Sequence, residues 1–147
     1  MKTKKIPIYQ LSSYLPYEVK AIFNENENKY CRKKIIGTVG CVYASNSSIV
    51  CHDVPNATPT KFKLILRPLS DLTKSIIVDG KEFIPIIEIA IYSPSQHGVA
   101  YLIEQIKLGL VEIIVFNMLL KWNFDVFGLI EQDLAVDINK IKNYGNI

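Results

Sequence analysis

Ile76-Ile77-Val78-Asp79-Gly80-Lys81-Glu82-Phe83-Ile84 lies near the middle of a 147-residue chain and divides two kinds of sequence. Asp-Gly between two apolar runs is a strong hairpin signal, because both central residues of a type I′ turn need positive φ. On the N-terminal side the pattern is strand-like. Glu18-Val19-Lys20-Ala21-Ile22-Phe23 puts Val19, Ala21 and Phe23 on one face, and the polar run 24–28 ends it. Lys34 to Tyr43 is β-branched and punctuated by Gly37 and Gly40, as in a strand near a bulge or a close contact. Ile49 to His52 reads as a short strand with a turn at Asp53-Val54-Pro55-Asn56. Lys61-Phe62-Lys63-Leu64-Ile65-Leu66 places Phe62, Leu64 and Leu66 inward.

On the C-terminal side the period changes. Ser70 is placed to cap a helical turn through Lys74. Pro85 opens a short helix over Ile86 to Ala90, since proline suits the first helical position. Tyr92 to Gly98 reads as a loop. Leu102, Ile106, Leu110, Ile113 and Leu120 recur at helical spacing and predict one long helix from about Val99 to Trp122. Its second half is apolar nearly all round, which predicts a buried central position. Gly109 weakens it by ~1 kcal/mol relative to alanine, in return for a close packing contact. Leu134 to Ile138 predicts a last short strand returning to a sheet edge. The expected fold is a single α+β domain over residues 1–147. A small antiparallel sheet with one wet face packs on the long C-terminal helix, with the short helix and the Asp-Gly hairpin between.

With 49% hydrophobic and 21% charged residues the chain is globular, not disordered. Met1 to Lys5 is charged like the start of a secretory signal, but Ile6 to Gln10 supplies no apolar region behind it. The most apolar stretch, Leu108 to Leu120, is broken by Glu112 and Asn117 and is shorter than the ~20 residues of a membrane span. Three cysteines, Cys31, Cys41 and Cys51, suit a reducing compartment. The expectation is a cytoplasmic protein with no membrane partner. The apolar C-terminal half suits a core and a dimer interface equally.

Catalytic patterns are sparse. Cys51 and His52 are strand neighbours and face opposite sides, so they do not pair. His97, in a Ser/Gly loop, is the other general base to hand for a cysteine. Cys31, Cys41, Cys51 and His52 have zinc-ligand chemistry but not the spacing of a zinc knuckle. There is no Walker loop, G-x-G-x-x-G or H-E-x-x-H. These readings predict no enzyme, cofactor or metal.

Charge is unevenly distributed. Residues 1–34 hold eight Lys/Arg against three Glu, whereas residues 101–137 hold two Lys against six carboxylates. Such asymmetry steers an anionic partner to one end. Tyr30-Cys31-Arg32-Lys33-Lys34, joined by Lys4 and Lys5, would accept nucleic-acid phosphates, with Tyr17 or Tyr30 stacking on a base. No helix-turn-helix, zinc-finger or RNP-like signature accompanies them. Tyr9, Tyr14, Tyr17 and Tyr30 serve equally as half-buried covers of the sheet or as interface anchors.

Two segments carry a resemblance. Leu66-Arg67-Pro68-Leu69-Ser70-Asp71-Leu72-Thr73-Lys74 is followed by Gly80-Lys81-Glu82-Phe83-Ile84-Pro85-Ile86. Lys121-Trp122-Asn123-Phe124-Asp125-Val126-Phe127-Gly128-Leu129-Ile130-Glu131 is followed by Leu134-Ala135-Val136-Asp137-Ile138-Asn139. Over roughly residues 60–140 the chain resembles a family of small uncharacterised proteins of Bacteroidetes phages and related mobile elements. The resemblance transfers no functional residue. It implies a phage accessory protein that binds and inhibits a host factor, most sharply an anti-CRISPR (anti-defence) inhibitor of an RNA-guided nuclease. The implied partner is a host protein or ribonucleoprotein, such as a CRISPR effector nuclease. The alternative is a nucleic-acid-binding phage regulator that contacts RNA or DNA through the basic N-terminal patch.

Overall fold

The computed structural model describes residues 4–24, 33–43, 45, 48–55, 57–93 and 97–141. After helix α1 (Ile8–Ser13) and a 3-10 turn (Leu15–Tyr17) come strands β1 (Lys20–Asn24), β2 (Lys34–Tyr43), β3 (Ser48–Cys51) and β4 (Phe62–Leu66). A 3-10 turn (Leu69–Thr73), the hairpin β5 (Ile76–Val78) and β6 (Lys81–Phe83), and helices α2 (Pro85–Tyr92), α3 (Gly98–Lys107) and α4 (Ile113–Lys121) follow. The described chain closes with β7 (Ala135–Asp137) and a 3-10 turn (Ile138–Lys140).

The α+β class and the returning strand agree with the sequence. The sheet has the order β3-β2-β1-β4-β7. It is mixed where an antiparallel sheet was expected, because β7 runs parallel to β4 through Leu64↔Ala135 and Leu66↔Asp137. A parallel partner needs a long crossover, and the whole helical half supplies it. The hairpin is a separate two-stranded sheet whose turn holds Asp79 and Gly80 at φ 51° and 78°. Gly40 lies where the β2–β3 register shifts between Val39 and Cys41.

The long helix is not formed. The chain breaks between α3 and α4 because Gly109 adopts φ +73° and closes a Schellman motif. The Gly109 amide donates to the Ile106 carbonyl at 3.0 Å, and the Leu110 amide to Gln105 at 2.9 Å. Gly109 is therefore a stop signal and not a packing contact: a Cβ there would meet nothing within 4 Å. Asn123, at φ 56°, ends α4 the same way, with its amide on Leu120 and that of Phe124 on Leu119, both at 2.9 Å. Ser70 is likewise no cap, since Pro68 holds that position of the 3-10 turn.

Three apolar clusters result. Ala21, Phe23, Val39, Leu64 and Leu66, on one sheet face, pack with Leu11 and Tyr14 of the N-terminal helical segment and with Leu120 and Leu129. A second core joins Leu72, Ile76, Ile86, Ile89, Leu102, Ile106, Val115, Leu119 and Phe124. The opposite sheet face is not simply wet: Ile22, Ile36, Ile65 and Val136 form a stripe with Ile138 and Ile141 against it. Among the described residues no helix is long and apolar enough to cross a membrane.

Candidate nucleic-acid interface

The register of the sheet assembles a basic groove at one end. Asn24 pairs with Lys34, and Phe23 with Phe62, so the end of β1 meets the starts of β2 and β4. Lys63 stands opposite Ile22, on the face that also carries Ile36. Period-2 alternation then carries Lys34 and Lys61 to the same face as Lys63. Upstream, Ile6 is buried in the sheet core and moors the chain ahead of α1, which holds Lys4 and Lys5 on the rim.

The remaining wall, Gln132-Asp133-Leu134, is held by a buried carboxylate. Asp125, 6% exposed, accepts from the amides of Leu129 at 2.7 Å and Ile130 at 2.9 Å. Two acceptor oxygens thus satisfy two backbone donors and shape the turn before β7. Gln132 donates from Nε2 to the carbonyls of Phe127 and Gly128, at 3.2 and 3.0 Å. Asp133 forms a salt bridge with Lys63.

The groove has a volume of about 730 Å³. Lys4, Lys5, Lys34, Lys61 and Lys63 stand round it, and Asp133 is the one carboxylate among the described residues that line it. Phe62, half-buried, and Phe23, buried, line it from the core face of the sheet, while Asn24, Thr60 and Gln132 add neutral polar groups. The lining is therefore basic in character.

Of the residues expected to bind, Lys4, Lys5 and Lys34 come together in the groove. Lys33 is exposed one residue before β2 but does not line it. Tyr17 is elsewhere: it is half-buried in the first 3-10 turn and packs on the sheet core. Tyr30 and Arg32 lie outside the described residues. Sequence reading missed Lys61, Phe62 and Lys63. Their alternation was visible, but their proximity to residues 4–5 and 34 depends on strand order.

The weaker chemical constellations are dispersed. Cys51, the last residue of β3, is buried, whereas His52 lies in the turn after the strand and is exposed. Burial, aided by the nearby Asp53 charge, pushes the Cys51 thiol up to about 11, so it is a poor nucleophile at neutral pH. His97 is exposed and lies with its ring 4.9 Å from that of Tyr101. Among the described residues no group of three His, Cys, Asp or Glu is placed to hold a metal ion. Compared with protein families, with curated proteins and with solved structures, the chain finds no match.

Proposed function

We propose that this chain is a non-enzymatic binding protein whose groove takes the backbone of a single-stranded nucleic acid. The observation that supports it is the convergence of five lysines, from residues 4–5, 34 and 61–63, around one groove. Ammonium groups in that arrangement release counterions from a phosphate chain. Phe62 lines the groove half-buried from the core face of the sheet, so the lysines and not stacking carry the affinity. A groove of about 730 Å³ has room for a few nucleotides.

The phage-family resemblance supplies the setting. In the reading we propose, the chain is an anti-defence protein that grips a guide RNA or displaced strand within a host RNA-guided nuclease. A phage regulator acting on free RNA or DNA would use the same groove.

The test is fluorescence anisotropy with labelled ten-nucleotide RNA and DNA, single-stranded and duplex, over a range of salt. Single strands are expected to bind more tightly than duplex, with log K falling by roughly 0.7 per decade of salt for each phosphate neutralised. Lys61→Glu with Lys63→Glu, both on the groove rim, is expected to weaken binding at least about tenfold with far-UV circular dichroism unchanged. Absence of binding at low salt, or indifference to the double reversal, overturns the reading. Inhibition of a reconstituted nuclease–guide complex by wild type but not by the double variant would then separate the inhibitor from the free regulator.

A further inference from the structure

We infer that Asn24 reads the ribose 2′-hydroxyl of a bound strand and makes the groove selective for RNA over DNA. The inference rests on the groove being a single-strand site, and it names which kind of strand. Asn24 ends β1, is exposed and lines the groove. It pairs with Lys34 on one side. On the other side Phe23 pairs with Phe62, so the same register carried one residue further sets Lys61 beside Asn24. By period-2 alternation Asn24 shares its sheet face with Ile22, and so with Ile36 and Lys63, the two residues opposite Ile22.

Three adjacent chain segments thus present a row of cation, carboxamide and cation, in the order Lys34, Asn24, Lys61. A nucleic-acid backbone alternates in the same way, with a sugar between successive phosphates. Neighbouring strands lie about 4.8 Å apart, so the two lysine backbones stand roughly 10 Å apart. Their flexible four-carbon stems close that span onto adjacent phosphates, and the short asparagine between them faces the sugar. A carboxamide both donates and accepts, and so does a 2′-hydroxyl. Deoxyribose does neither at that carbon.

Among the neutral polar groups of the lining, Asn24 is the one with hydrogen-bonding capacity to spare. Among the described residues no hydrogen bond engages its carboxamide. Gln132 Nε2 is committed to the carbonyls of Phe127 and Gly128, and Thr60 is already engaged. Beside Asn24 on the same face, Ile22 and Ile36 are apolar and have no group that reads a base edge. The 2′-hydroxyl is what lets a protein tell RNA from DNA at a given site, so the selectivity is for sugar and not for sequence.

Anisotropy titrations of the full chain with labelled ten-nucleotide oligouridylate and oligodeoxyuridylate test this, because the two strands differ only in the 2′-hydroxyl. Wild type is expected to bind the ribose strand about two- to tenfold more tightly, the worth of one hydrogen bond. Asn24→Ala is expected to lower ribose binding to the deoxy level and to leave deoxy binding unchanged. That unchanged deoxy affinity also shows the variant to be folded. Wild-type affinity for the deoxy strand that equals or exceeds that for ribose overturns the inference and leaves the groove standing. So does a ribose preference that survives Asn24→Ala, or a variant that weakens both strands alike. Failure to bind either strand overturns the groove reading itself, and this inference with it.

Discussion

The hydroxyl of Tyr14 donates to the carbonyl oxygen of Phe124 at 2.8 Å and accepts from the amide of Val126 at 3.3 Å, joining residues 110 positions apart. Tyr14 and Phe124 are both fully buried and belong to different apolar clusters. The segment they share is also clamped by Arg67, whose amide donates to the Asn123 carbonyl and whose carbonyl accepts from Asp125, each at 2.8 Å. Burial, first, and the nearby Asp125 charge raise the Tyr14 phenol well above its ordinary range, so it remains a donor at neutral pH.

Tyr14→Phe keeps the ring and removes both hydroxyl hydrogen bonds, while the Val126 amide still donates to the Phe124 carbonyl at 2.9 Å. The expected loss is about 0.5–1.5 kcal/mol, the net contribution of a typical hydrogen bond. Urea unfolding reads it as a lower midpoint at unchanged m-value.

Asp71 ties the turn after β4 to the turn after β7. It is 3% exposed and accepts from Lys74 Nζ at 2.8 Å and Asn139 Nδ2 at 2.7 Å. Burial alone would raise its carboxyl, but those hydrogen bonds and the charges of Lys74 and Arg67 outweigh burial and hold it below the ordinary value. A depressed carboxyl stabilises the fold above its unfolded pKa, near 3.9, and loses that contribution as pH falls through the folded value. Asp71→Asn is therefore expected to be less stable at pH 7 by about 1–3 kcal/mol. It should also show a flatter decline below pH ~4, where the wild-type Asp71 contribution is lost. Chemical unfolding at a series of pH values distinguishes the two profiles.

In a Cys31→Ser background the two remaining thiols are expected to differ sharply. Cys41 is exposed, whereas Cys51 is buried at 3% exposure with its thiol pushed up to about 11. With a disulfide reagent at pH 8, one thiol should titrate at once and the second only on adding denaturant. Prompt reaction of both would contradict the buried position of β3.

Asp133→Asn removes a carboxylate from the groove lining and releases Lys63 from its salt bridge. If the groove holds phosphates, binding should tighten and the salt slope should steepen by up to ~0.7, one further phosphate. Weaker binding would mean that Asp133 positions Lys63 and does not compete for it.

Gly37 pairs with Ala21 inside the sheet, and a Cβ there would lie 2.8 Å from both Cβ and Sγ of Cys51 and 2.9 Å from Val54. Gly37→Ala is expected to cost about 1–3 kcal/mol through overpacking, visible as a lower thermal midpoint. Gly40→Ala, whose nearest contacts are 3.5 Å away, should cost less.

Strand existence was legible where alternation met burial on one face: Val19, Ala21 and Phe23, and likewise Leu64 and Leu66, are buried as their period demands. The Asp79-Gly80 turn and the Pro85 helix start were legible because each rests on a single residue's φ preference. The helix break was present in the sequence as Gly109, but helical spacing continued across it and masked the stop. Periodicity reports which residues share a face, and it does not report whether the backbone between them stays helical. Half of the candidate site was legible in the same sense. Lys4, Lys5 and Lys34 stood out as cations, while Lys61 and Lys63 looked like the solvent side of one strand.

By itself the sequence determined the local elements: which residues alternate, where φ must turn positive, and where charge accumulates. These follow from sterics and burial within a few residues of each other. Only the tertiary structure decided that β7 returns beside β4, that β1 lies between β2 and β4, and hence that lysines from three stretches surround one groove. It also decided that α4 would lie between two apolar cores while Leu108, Leu110 and Ile113 at the α3–α4 corner stay exposed. Strand order and the partner of an apolar face depend on which distant surfaces pack best together, a comparison among whole arrangements that no local pattern encodes.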